Sequence, residues 1–68
     1  MKTTTLKVLG MSCEHCVRAV TGALTALDGV QEAKVSLQNG TAEVRFDPEQ
    51  VTEEQLRQAV WDQGYDAP

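Results

Sequence analysis

Aromatic side chains are scarce in this chain: one Trp, one Tyr and one Phe among 68 residues. A chain this short buries only about 60% of the surface it exposes on unfolding, so its core is expected to be small and aliphatic. Positive charge is also short. Six Lys and Arg stand against ten Asp and Glu, a formal net charge of −4, which leaves no basic patch for nucleic acid. No apolar run approaches the roughly 20 residues that cross a bilayer, so direct membrane insertion is not expected. Met1-Lys2-Thr3-Thr4-Thr5 opens without an apolar targeting segment. The expected location is therefore the cytoplasm, where thiols stay reduced. Cysteine is limited to Cys13 and Cys16. A disulfide between them would close a tiny loop and restrain little of the unfolded chain, so a structural staple is a poor reading of the pair.

What is present reads as one domain over residues 1–68. Thr3 to Leu9 alternates, with Thr4, Leu6 and Val8 on one face, as in a half-buried strand. Gly10 breaks it. From about Glu14 to Leu27, Val17, Val20, Leu24 and Leu27 recur at helical spacing, with Ala23 filling the stripe. Gly22 costs this helix about 1 kcal/mol relative to Ala and is expected to allow a close approach to a sheet. Gly29 is placed to stop the helix as its left-handed residue.

Asn39-Gly40 reads as a two-residue type I′ turn. That register sets Leu37 opposite Ala42, Val35 opposite Val44 and Ala33 opposite Phe46, all on one face. It also sets Lys34 across from Arg45, each with an acidic diagonal neighbour. After Asp47-Pro48, Thr52 is an N-cap, Gln55 completes a capping box, and Val51 and Leu56 form a hydrophobic staple. Leu56, Ala59 and Val60 face the core, Trp61 lies at the border of that stripe, and Gly64 ends the helix. Tyr65 to Pro68 is expected as a short edge strand. The order βαββαβ makes an α+β fold, with a four-stranded antiparallel sheet and both helices on one face.

The chemistry gathers in Gly10-Met11-Ser12-Cys13-Glu14-His15-Cys16. Two thiols at this spacing on the first turn of a helix can converge on one atom. The free amides and positive dipole end of that turn favour thiolate, the form that binds metal. Cys13, on the loop, should be the more exposed ligand, and Cys16 should have the lower pKa.

Together with Gly64-Tyr65-Asp66, this loop resembles the heavy-metal-associated domain family and, more narrowly, the small bacterial cytoplasmic copper chaperones within it. The resemblance covers essentially the whole chain, including the Val17 to Leu27 helix and the Asp28-Gly29-Val30 exit. It implies a ferredoxin-like βαββαβ fold. It also implies a metal carrier, not an enzyme, which binds Cu(I) through Cys13 and Cys16 and passes it to a copper-transporting P-type ATPase. The ligand count agrees: thiolates select soft Cu(I), which is satisfied by two of them, whereas Zn(II) takes four ligands. Ag(I) shares this chemistry and is a natural surrogate.

The family implies that Met11 packs beneath the loop rather than ligating. Ser12 stands where zinc-selective relatives carry an acidic residue, which counts against zinc. His15 is the only extra ligand candidate, mainly in a dimer that shares copper; otherwise it tunes the thiolates. Tyr65 is expected beside the metal, its phenol either bonding toward a thiolate or capping the core. A monomer when apo, with a copper-bridged homodimer as the loaded alternative, follows from the same reading. Competing readings are a metal-binding domain excised from a copper ATPase and a mercury carrier. A thioredoxin-type oxidoreductase fails on length, on the missing Pro around the cysteines, and on Met11 where a tryptophan usually precedes the motif.

Overall fold

The computed structural model describes residues 1–68. Its elements are β1 (Lys2–Lys7), α1 (Glu14–Thr25), β2 (Val30–Ser36), β3 (Thr41–Phe46) and α2 (Glu53–Asp62). The strands form an antiparallel sheet in the order β1-β3-β2. Period-two alternation decides its faces. Leu6, Ala42, Val44 and Phe46 are buried on one side, while Thr3, Thr5, Lys7, Glu43 and Arg45 meet water on the other. Val20 and Leu24 of α1 and Leu56 and Val60 of α2 close over the buried side. With Val8, Val51 and Ala67 they make a cluster of 11 buried residues. Full burial of each larger side chain contributes about 1.5–3 kcal/mol, and no aromatic beyond Phe46 is needed for it.

The expected fourth strand is not formed; the sheet has three. Tyr65 to Pro68 makes a single antiparallel bridge, Leu9 to Asp66. The Leu9 N–H donates to the Asp66 carbonyl at 2.8 Å, and the Asp66 N–H returns the bond at 3.1 Å. The next hydrogen-bonded pair of such a ladder lies two residues on and would need a donor from residue 68. Proline has none.

The hairpin register also differs from expectation, by two residues. Ser36 faces Thr41, Val35 faces Ala42 and Ala33 faces Val44, with a bulge between Val30 and Glu32. A type I′ turn needs positive φ at both central residues. Gly40 has it, at +65°, but no residue other than glycine does. The turn is instead a loop over residues 37–40, in which the Ser36 carbonyl accepts from the Gly40 N–H at 2.9 Å. The Ser36 hydroxyl accepts from the Asn39 N–H at 3.2 Å. Charge favours this register: Lys34 faces Glu43 and Glu32 faces Arg45, so the Lys34–Arg45 opposition disappears. A shift of two leaves every side chain on its expected face.

Helix α2 begins as its sequence indicates. The Gln55 N–H donates to Thr52 Oγ1 at 3.2 Å, the Thr52 N–H donates to Gln55 Oε1 at 2.8 Å, and Val51 and Leu56 are both buried. It ends in a Schellman motif, with Gly64 N–H on the Trp61 carbonyl (2.8 Å) and Tyr65 N–H on that of Val60 (3.4 Å). Helix α1 stops two residues early, at Thr25, so Gly29 turns the following loop rather than capping the helix. The close approach expected at Gly22 is absent: nothing lies within 4 Å of where its Cβ would be, and nothing in the structure requires a glycine there.

Candidate metal centre

The strand exit at Gly10 and the start of α1 place the two sulfurs. Cys13 is the N-cap of α1, with extended backbone (φ −159°, ψ 173°), and its side chain makes no capping bond. Its carbonyl accepts from the amides of Cys16 (3.1 Å) and Val17 (3.3 Å). That one turn brings Cys16 back under Cys13, with 3.7 Å between the sulfurs. Both thiols are free; Cys13 is exposed and Cys16 half-buried. The order of exposure expected from the sequence is the one observed.

Cys16 is the more acidic thiol, lowered to about 6. The largest cause is a hydrogen bond from the Ser12 backbone, then one from the Tyr65 phenol, with smaller contributions from Cys13; desolvation opposes them. The sequence points to the helix amides and dipole for this shift; the Ser12 hydroxyl stands 4.0 Å from the Cys16 sulfur. A main-chain donor has no residue-type signature, which is why it was missed. Tyr65 shifts the opposite way, its phenol raised by the bond to Cys16 first, then by burial and the cysteine charges. Tyr65 is half-buried and packs against the core.

The remaining candidates separate cleanly. Met11 is half-buried and packs against the core cluster. His15 is exposed on the first turn of α1. No group of three His, Cys, Asp or Glu side chains converges anywhere in the structure, so no further residue of these types joins the sulfur pair. Two soft donors at an open surface suit a soft ion of low coordination number and do not make the closed four-ligand shell of structural zinc.

The heavy-metal-associated domain profile matches residues 5–66. This chain belongs to the heavy-metal-associated domain family. Within that family it is 54% identical over 66 residues to the copper chaperone CopZ of Staphylococcus saprophyticus, covering 97% of each chain. Its structure matches that of a CopZ metallochaperone with a TM-score of 0.96, at 45% identity over 98% of this chain and all of the other. It also matches a copper-binding domain of the P-type ATPase HMA7 with a TM-score of 0.98, at 37% identity over the whole chain and 92% of that domain. The α+β arrangement of two helices on an antiparallel sheet is common to this heavy-metal-associated fold, and no helix here is long and apolar enough to cross a membrane.

Proposed function

We propose that this protein is a copper chaperone that carries Cu(I) on the Cys13 and Cys16 thiolates and delivers it by ligand exchange to a copper-transporting P-type ATPase. One observation carries the reading: two sulfurs 3.7 Å apart at an exposed helix start, with no His, Cys, Asp or Glu beside them as a third ligand. With thiolate bonds near 2.3 Å, as for zinc, a trigonal ion holds two sulfurs about 4.0 Å apart and a linear one about 4.6 Å apart. The 3.7 Å spacing is too short for a linear ion and leaves a bent site open on its outer side. A partner thiolate therefore enters as third ligand with little rearrangement, and one of the first two leaves as it does so. The ion is never free, no bond is made or broken in a substrate molecule, and the protein is a carrier rather than an enzyme.

The free thiols fit a reducing compartment, the cytoplasm. The apo protein is a monomer, and a second copy supplying a thiolate or His15 gives the copper-bridged homodimer. The likeness to an ATPase copper-binding domain supports a second reading, that this domain works while attached to such a pump. Its size on an immunoblot of its native cells separates the two. A mercury carrier would prefer Hg(II) to Cu(I) in competition, whereas Ag(I) should merely replace Cu(I).

X-ray absorption of the Cu(I)-loaded protein should show two or three sulfur scatterers, lost in Cys13→Ser and in Cys16→Ser. Mixing with an apo partner domain that carries the same two-cysteine loop should move copper within seconds. Transfer no faster than release to a soluble chelator overturns the exchange mechanism.

A further inference from the structure

We propose that Asn39-Gly40 is a modification site at which this protein ages: Asn39 loses its side-chain amide as ammonia, and the folded hairpin holds that reaction back through Ser36. The inference stands apart from the use of the sulfur pair. It begins from a turn motif that does not form the turn its sequence indicates.

Asn39 is the one asparagine of the chain, and it is exposed in the loop over residues 37–40. Gly40 follows it, with no Cβ to shield the peptide nitrogen. In the reaction, the Gly40 nitrogen gives its proton to water or hydroxide and attacks Asn39 Cγ. The N–Cγ bond forms, the Cγ–Nδ2 bond breaks, and Nδ2 leaves as ammonia with a proton taken from water. One water molecule then opens the five-membered imide. Opening at one carbonyl gives an aspartyl residue. Opening at the other gives an isoaspartyl residue, in which the main chain runs through the side-chain carbon. Amide and water become acid and ammonia, nothing is oxidised or reduced, and the chain gains one negative charge.

The geometry decides when this happens. The Gly40 N–H donates to the Ser36 carbonyl at 2.9 Å, and the Gly40 carbonyl accepts from the Val8 N–H at 2.8 Å. One residue back, the Asn39 N–H donates to Ser36 Oγ at 3.2 Å. The attacking nitrogen is therefore already engaged, in a residue pinned at both of its polar groups. Removing its proton leaves the Ser36 carbonyl without a partner, and turning it toward Asn39 Cγ pulls against Val8. Cyclisation proceeds from molecules whose hairpin end has opened, which is a local event.

The isoaspartyl product does not fit the loop that made it. It adds one main-chain carbon between two residues that are each bonded to Ser36, inside a loop closed by the Ser36–Thr41 pair. A Cβ on Gly40 would already stand 3.3 Å from the Val8 carbonyl oxygen, so the loop has no room to bulge toward the end of β1. Gly40 must release Ser36 or the buried Val8.

The test is peptide mapping by mass spectrometry of the full chain kept at neutral pH, folded and in guanidinium. Position 39 should convert in both, about fivefold more slowly when folded, the scale of one net hydrogen bond. Ser36→Ala should quicken the folded rate about twofold, the low end of the same range, and leave the denatured rate alone. Equal rates in the two states, no conversion in guanidinium, or a folded rate that ignores Ser36→Ala overturns the proposal. Circular dichroism checks that Ser36→Ala is folded, and the comparison of the unaltered protein in its two states needs no variant. The isoaspartyl form, separated by chromatography, should exchange its Val8 or Gly40 amide hydrogen about fivefold faster than the fresh protein. Asn39→Asp, which adds the charge without the carbon, should not. Unchanged exchange at both amides, or equally fast exchange in Asn39→Asp, overturns the misfit of the product.

Discussion

The two helices start in opposite ways. Helix α2 is finished by its own sequence: Thr52 and Gln55 satisfy each other's backbone donors, Glu53 and Glu54 face the positive end, and Val51 is sealed against Leu56. Helix α1 has Cys13 at the same position, and that side chain caps nothing. One acidic residue, Glu14, occupies its first turn. A sulfur is a weak acceptor, so the donors at the head of α1 are left to water or to an incoming anionic site. Capping is concentrated at the start of α2 and withheld from the one that carries the sulfur pair.

The largest effect that would break this contrast is at Cys13. Cys13→Ser should abolish tight Cu(I) uptake in an anaerobic titration, yet raise apo stability by about 0.5 kcal/mol in urea unfolding, because Ser is a strong N-cap. A variant that loses copper and stability together would show that the sulfur already caps the helix. At the other start, Thr52→Ala should cost about 1 kcal/mol in the same unfolding measurement while copper uptake stays unchanged. A change in uptake would mean the two helix starts are coupled.

The smallest effect concerns pH. Cys16 is lowered in the folded protein from 9.0 to about 6, so between those values the unfolded chain binds more protons. Apo stability should therefore rise from pH 6 to pH 9, and the contribution should be gone below about 6. That slope should flatten in Cys16→Ser. An equal slope in both proteins would place its origin elsewhere. At acid pH a separate loss is expected from Asp47, whose carboxyl is lowered by bonds from Gln50 and Glu49, and from Glu53, lowered by Thr4. As these groups protonate, folded stability falls.

The start of α2 was legible because a capping box and staple are contiguous signals, and Thr52, Gln55, Val51 and Leu56 spell them out. The hairpin faces were legible for the same reason, but its register was not. Burial repeats every two residues, so it cannot tell Gln38–Thr41 pairing from Ser36–Thr41 pairing. Charge could have done so, since Lys34 opposite Arg45 was the less favourable arrangement. The missing strand was also foreseeable: Pro68 stood where its ladder needed a donor. At the metal loop, the sulfur pair was readable from spacing and residue type, whereas the packed Met11 was implied by the family resemblance. The leading part of the Ser12 main chain in lowering Cys16, and the closeness of Gly10 to Tyr65, depend on backbone path and had no such signature.

The unfinished head of α1 has a consequence for what a loaded molecule is. An ion seated on the two thiolates leaves a site of net charge −1 beside those free donors, and tight binding to the folded form alone raises its stability as free ion exceeds the dissociation constant. Laden and empty copies should therefore differ in rigidity as well as cargo. A protease acting on briefly opened chains would clear the empty ones first.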